Sequence, residues 1–279
     1  MWPMARPDFA TDLYMSGTTF FTLGLGDVSP GTPVARLVTV VEAGTGFGFL
    51  AIVISYLPVL YGAFSQREVN ISLLDARAGS PPSAGELLRR QGERQNAEAL
   101  GQYLRDWETW SAQLMESHLS YPVLCYFRSQ HNNQSWLAAL TAVLDACALL
   151  IAYAQGALKS QAELTFAISR HAVMDLAQVM HIPPRPPRDD RLPARALAEL
   201  RGLLAACRAA ERGGEACEGK LVPLRGMYEP YVNGLADRLL MALPPWTTAE
   251  PVDNWRTSPW GRISAGLLSP PEPHKDEHF

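Results

Sequence analysis

Thr22-Leu23-Gly24-Leu25-Gly26-Asp27 is the stretch on which the reading of this chain turns. Two glycines alternate with other residues, and glycine takes positive φ without a Cβ penalty. Alternating left- and right-handed residues bring successive carbonyl groups to the same side. The Thr22 hydroxyl extends that row of oxygens, and Asp27 adds a carboxylate at its far end. Upstream, Asp8 follows Pro7 and can cap a helix over Phe9 to Phe21. Such a helix is about 20 Å long, too short to cross a bilayer but suited to a re-entrant segment. Its C-terminal end carries partial negative charge and favours a nearby cation. Downstream, the turn-rich link Val28 to Pro33 leads to Arg36 and then to an apolar run from Leu37 to Phe64. If helical, that run spans about 42 Å, enough to cross a bilayer with some tilt.

Four copies of such a loop around an axis would stack rings of carbonyl oxygens able to replace the hydration shell of a potassium ion. Residues 8 to 64 resemble the pore-loop and inner-helix half of the potassium-channel family, whose signature is Thr-Val-Gly-Tyr-Gly-Asp behind a Thr/Ser-rich pore helix. Thr22, Gly24, Gly26 and Asp27 match, Leu23 is conservative, and Leu25 departs. Leucine there resembles the second pore loops of some two-pore-domain potassium channels. The resemblance implies ion binding at Thr22, Leu23, Gly24, Leu25 and Gly26, with Asp27 at the outer mouth and no cofactor beyond the permeant potassium ion. A tyrosine in place of Leu25 would brace the filter against the pore helices, which leucine cannot do.

Within the apolar run, Gly44 and Gly48 lie four apart on one face and permit close helix packing. The resemblance also makes them candidates for a gating hinge, and Pro58 is expected to kink the helix near its inner end. Glu42 is the one charge inside the run, and an intramembrane carboxylate is a functional candidate. We expect it behind the filter, bonded to Thr18 or Thr19, with a cavity-facing charge as the alternative. The family's pore unit has an outer helix before the loop. None precedes Met1, and the start carries no signal peptide. The second reading is accordingly a truncated, non-conducting protein whose helical part is a cytosolic binding module; an enzyme is the weakest option.

The remaining chain is less explicit. A net charge of -4, from 24 basic and 28 acidic residues, argues against a nucleic-acid partner. Cys125, Cys147, Cys207 and Cys217 show no metal-ligand spacing and read as reduced thiols. The expected organisation is all-α: a channel domain over 1–68, a linker over 69–85, a helical cytosolic domain over 86–265 and a disordered tail over 266–279. Within the third part, helices are expected over Glu86 to Leu119, Pro122 to Arg128, Trp136 to Tyr153, Ser160 to His181, Asp190 to Arg212 and Val222 to Leu243. Trp136 to Tyr153 is apolar enough for a second span, but Asp145 interrupts it, and we read it as a core helix. Pro183 to Pro187 reads as a stiff extended connector, and Trp246, Trp255 and Trp260 as packed tail residues. Glu116, His118, Arg128, His131, His171 and Asp175 include the ligand types for a metal site but complete no ligand motif. One loop per chain cannot close a carbonyl cage, so a homotetramer in the cell (inner) membrane is expected, with the helical domain in the cytoplasm and its ligand unknown.

Overall fold

The first helix forms where its cap dictates. Asp8 has extended backbone, and its carboxylate accepts a hydrogen bond from the Thr11 amide at 2.7 Å, opening α1 at Phe9–Phe20. The second helix opens in the same way: Thr32 Oγ1 accepts from the Ala35 amide at 3.1 Å, and Pro33 occupies the first turn, where its missing N–H costs nothing. In a computed structural model describing residues 8–92, 97–130, 134–187, 189–206 and 215–247, all regular structure is helical and no strand occurs among those residues. The all-α expectation holds. The chain divides into two units at the Ala63–Phe64 bond.

The first unit holds α1, the loop 22–32 and the start of α2. α2 runs Pro33–Ala78, 46 residues, and continues through Pro58. Its apolar positions point in every direction, with Val38, Val40, Phe47, Ile52 and Ile54 all exposed on the isolated chain. A helix apolar all round belongs in a core or a membrane. The polar residues 65–68 end the apolar run without ending the helix. The 69–85 stretch read as a linker is helical to Ala78 and again from Ala84, leaving a connector of only 79–83. The cause is a buried stripe at Ile71, Leu74 and Ala78, spaced for one helix face.

The second unit builds its core around α5, Trp136–Tyr153, capped by Ser135, whose hydroxyl accepts from the Ala138 amide at 3.0 Å. Of its candidate 18-residue span, 94% is buried within the fold. It packs on α3 (Ala84–Gly92), α6 (Gly156–Val179), α8 (Glu215–Gly226) and α9 (Glu229–Leu239), while α4 (Ala97–Ser120) lies along α6. Being surrounded explains why α5 is apolar on all sides. A 3-10 turn at Pro122–Tyr126 replaces the longer helix expected to Arg128, and α7 covers Ala194–Ala206. The single helix expected over Val222 to Leu243 is two, broken around Met227 and Tyr228, with α9 closed by Leu240 in the left-handed region. Trp246 is buried against this unit. Cys207, Trp255, Trp260 and the tail 266–279 lie outside the described residues.

Candidate functional site

The loop begins as a helix terminus. The Leu23 amide donates to the Thr18 carbonyl at 2.8 Å and the Thr22 amide to the Thr19 carbonyl at 3.0 Å. This is the six-to-one, five-to-two pairing of a Schellman motif, whose pivot residue sits in the left-handed region and is usually glycine. Here it is Thr22, at φ +59°. Gly24 follows at φ +55° and Gly26 at φ +78°, so positive φ recurs at every second residue. A Cβ on Gly24 or Gly26 would meet nothing within the chain, so backbone conformation and not space calls for glycine there. The Gly24 amide also donates to the Thr18 carbonyl, at 3.3 Å. Thr18 and Thr19 therefore anchor the loop through their carbonyls. The Thr18 hydroxyl turns back to the Met15 carbonyl at 3.0 Å. Leu23 and Leu25 are 63% and 64% exposed, with their side chains uncovered in a single chain.

Two supports escape sequence reading. Tyr14 on α1 donates its hydroxyl to Asp27 Oδ2 at 2.8 Å, tying the far end of the loop to the helix across 13 residues. Ser16 donates to Glu42 Oε1. The Glu42 hydrogen bond expected from Thr18 or Thr19 comes from Ser16 of the same helix instead, while the Thr18 side chain and the Thr18 and Thr19 carbonyls are otherwise engaged. No local pattern links residues 13 or 26 apart, which is why neither pair was visible. The close approach of the two helices falls at Gly46, where a Cβ would lie 1.9 Å from the Phe20 carbonyl oxygen. Gly44 and Gly48, the glycines picked from spacing, meet nothing within the chain.

Among the buried charged groups described in the second unit, two centres are built on Arg67 and Asp145. Arg67, 3% exposed, donates to the carbonyls of Leu124 at 3.0 Å and Phe127 at 2.8 Å and pairs with Glu68 at 2.9 Å. Its Nη1 also lies 3.2 Å from Nε2 of the buried His118, and Trp110 donates to the Arg67 carbonyl at 3.3 Å. Burial, and then the Arg67 charge, push His118 down to about 3. The imidazole is therefore neutral, with Nε2 free to accept from Arg67. Burial raises the Cys125 thiol to about 11, against the pull of Arg67. The second centre is Asp145 on α5, which accepts from Arg191 Nη2 and the Tyr228 hydroxyl, both at 2.5 Å. Burial raises the Asp145 pKa while Arg191 opposes it. Arg191 also donates to the Pro244 carbonyl at 2.9 Å and, with Arg225, faces the Trp246 ring. This network closes the C-terminal segment onto the core.

The candidate metal ligands do not converge. His118 faces Arg67, and His171 forms an i, i+4 pair with Asp175 at 3.1 Å on α6. Among the described residues no group of three or more His, Cys, Asp and Glu side chains gathers, and His131 lies outside them. Arg128, Ser129, Gln134 and Ser135 line a cavity of about 260 Å³.

Residues 2–60 match the sequence model of a family described as ion channel. A Bacillus subtilis (strain 168) protein described as "Uncharacterized membrane protein YdjJ" is 24% identical over 141 residues, 50% of this chain. The chain covers 40% of that protein's length. No solved structure matches the chain. The stretch containing α1, the loop and the apolar part of α2 is thus similar to an ion-channel family, and the relative that matches half of the chain is described as a membrane protein.

Proposed function

We propose that this chain is the subunit of a potassium-selective channel, four copies surrounding one pore lined by the carbonyls of Thr22 to Gly26. The observation that carries this reading is the recurrence of positive φ at Thr22, Gly24 and Gly26 directly after a short capped helix, inside the segment that matches the ion-channel family. Conduction is passive. The Thr22 hydroxyl and the loop carbonyls take the place of water around the ion, and Asp27, held by Tyr14, concentrates cations at the outer mouth. The uncovered Leu23 and Leu25 side chains find their neighbours in adjacent copies. Tyr14 supplies a brace between pore helix and filter mouth that Leu25 cannot. α2 lines the pore below the filter, Glu42 supports the filter from behind through Ser16, and Gly44, Gly48 and Pro58 give α2 its compliance. The helical unit lies in the cytoplasm beneath the inner membrane and biases α2.

The test is potassium flux from vesicles reconstituted with the full chain. Wild type is expected to release potassium down its gradient and to exclude sodium. Gly24→Ala, which forces a Cβ onto φ +55°, is expected to abolish flux while the helical content stays constant. Flux unaffected by Gly24→Ala, or no flux from correctly inserted wild type, overturns the proposal.

A further inference from the structure

Phe64 is the last residue of the apolar run of α2, and one turn later Arg67 is buried. Its guanidinium binds the carbonyls of Leu124 and Phe127, and the Phe127 ring lies edge-on to the Phe64 ring with centroids 6.2 Å apart. The 3-10 corner Pro122–Tyr126 is therefore pinned beside the point where the apolar run ends. The corner has two sides. Leu124 and Cys125 are fully buried, whereas Val123, Tyr126 and Phe127 are 42%, 56% and 39% exposed. Arg128 extends from the same corner to the carbonyls of Leu239 and Leu240, at 3.3 and 2.9 Å. That places Leu240, 77% exposed, on its flank. Leu164 and Val222 are exposed apolar residues of the same unit, at 57% and 69%, on α6 and α8. Scattered single residues of that kind are ordinary on any surface.

We propose that Val123, Tyr126, Phe127 and Leu240 form a membrane-interface contact, seated among the headgroups and upper acyl chains of the leaflet from which α2 emerges. Tyrosine with an apolar neighbour and a flanking arginine is the composition that prefers the bilayer boundary, where a ring is half apolar and half wet. Continuity with the α2 span singles out lipid: a patch fastened one helical turn past the last apolar residue of a span meets the headgroup layer first. The inference rests on the reading of α2 as a span.

The full chain, in phosphatidylcholine vesicles doped with a diazirine-bearing acyl phosphatidylcholine, is irradiated, digested and mapped by mass spectrometry. Adducts are expected on α2 between Val34 and Tyr61, and on Val123, Tyr126, Phe127 and Leu240. The corner is expected to be labelled about tenfold above Leu164 and Val222, because the probe resides in the acyl layer. Labelled α2 with a corner no more reactive than Leu164 and Val222 overturns the contact and leaves the span standing. An unlabelled α2 overturns both. A Val123→Cys chain whose cysteine couples efficiently to its counterpart in a second copy, with no lipid adduct at the corner, shows a protein interface instead and also overturns the proposal.

Discussion

Thr22 holds a backbone conformation that β-branched residues avoid, at φ +59°, in a helix-terminating motif that glycine would occupy without strain. A cost of about 1–3 kcal/mol accepted at one residue points to a use for its side chain. Thr22→Gly is expected to raise or preserve thermal stability and, on the proposed channel reading, to reduce potassium flux about tenfold or more, since the relieved backbone no longer carries the hydroxyl. A thermal melt and a flux assay on the same preparation check both halves; loss of stability in parallel with flux would mean that threonine is there for the fold. His118 makes a second prediction at this scale. In the fold its pKa is about 3, from burial first and Arg67 second, whereas an unfolded histidine titrates near 6.5. The unfolded chain therefore binds the extra proton throughout that window. The stability that rests on neutral His118 is complete above pH 6.5 and declines as pH falls toward 3, by a few kcal/mol in all. His118→Asn can still accept from Arg67 but cannot titrate, so its melting temperature is expected to fall less than that of wild type between pH 7 and 4.5. Parallel curves would remove His118 from the acid response.

At the scale of elements, α1 and α5 were legible because their signals are local. Asp8 and Ser135 each stand three residues before the amide they cap, and each precedes a helix of the expected extent. The far end of α2 was not legible. The cluster Ser65-Gln66-Arg67-Glu68 reads as an exit from apolar surroundings, but the helix continues through it because Ile71, Leu74 and Ala78 find a core that no window of sequence shows. The division near Tyr228 was hidden for the same reason: its hydroxyl is claimed by Asp145, 83 residues away. The loop itself was readable from Thr22 to Asp27, whereas its braces, Tyr14 to Asp27 and Ser16 to Glu42, depend on how α1 lies against α2. The same contact selects among three glycines that look alike in sequence. Gly46→Ala drives a Cβ into the backbone of Phe20, an overpacking that costs about 1–3 kcal/mol or more, because backbone cannot rotate away. It is expected to separate α1 from α2 and abolish flux, whereas Gly44→Ala and Gly48→Ala retain the ion-conducting fold. Equal loss from all three would mean that neighbouring copies, and not Phe20, set the demand for glycine.

At the scale of the whole molecule, one helix belongs to both units. α2 carries the apolar run at one end and the buried stripe of Ile71, Leu74 and Ala78 at the other, without a break. Arg67 fastens the helix to the Leu124 and Phe127 carbonyls, and on the proposed channel reading it is the residue through which the helical unit would bias α2. Replacing the guanidinium by a shorter neutral amide, Arg67→Gln, removes the donor that both carbonyls share and the ion pair with Glu68, which keeps its hydrogen bond from Ser129, and an unmet buried carbonyl such as that of Leu124 costs about 1–3 kcal/mol. The filter residues are not touched by this change. In single-channel recordings Arg67→Gln is expected to shift open probability severalfold while unitary conductance and the potassium-to-sodium ratio stay at the wild-type values. Arg185→Gln removes an ion pair with Asp237 at 3.0 Å, where Arg185 is half exposed, and serves as the comparison. Such surface pairs contribute about 0–1 kcal/mol, so its recordings are expected to match wild type. If Arg67→Gln alters conductance or selectivity and leaves open probability unchanged, the helical unit does not act on the pore through this arginine. In that case α2 beyond Phe64 serves only to hold its own unit together.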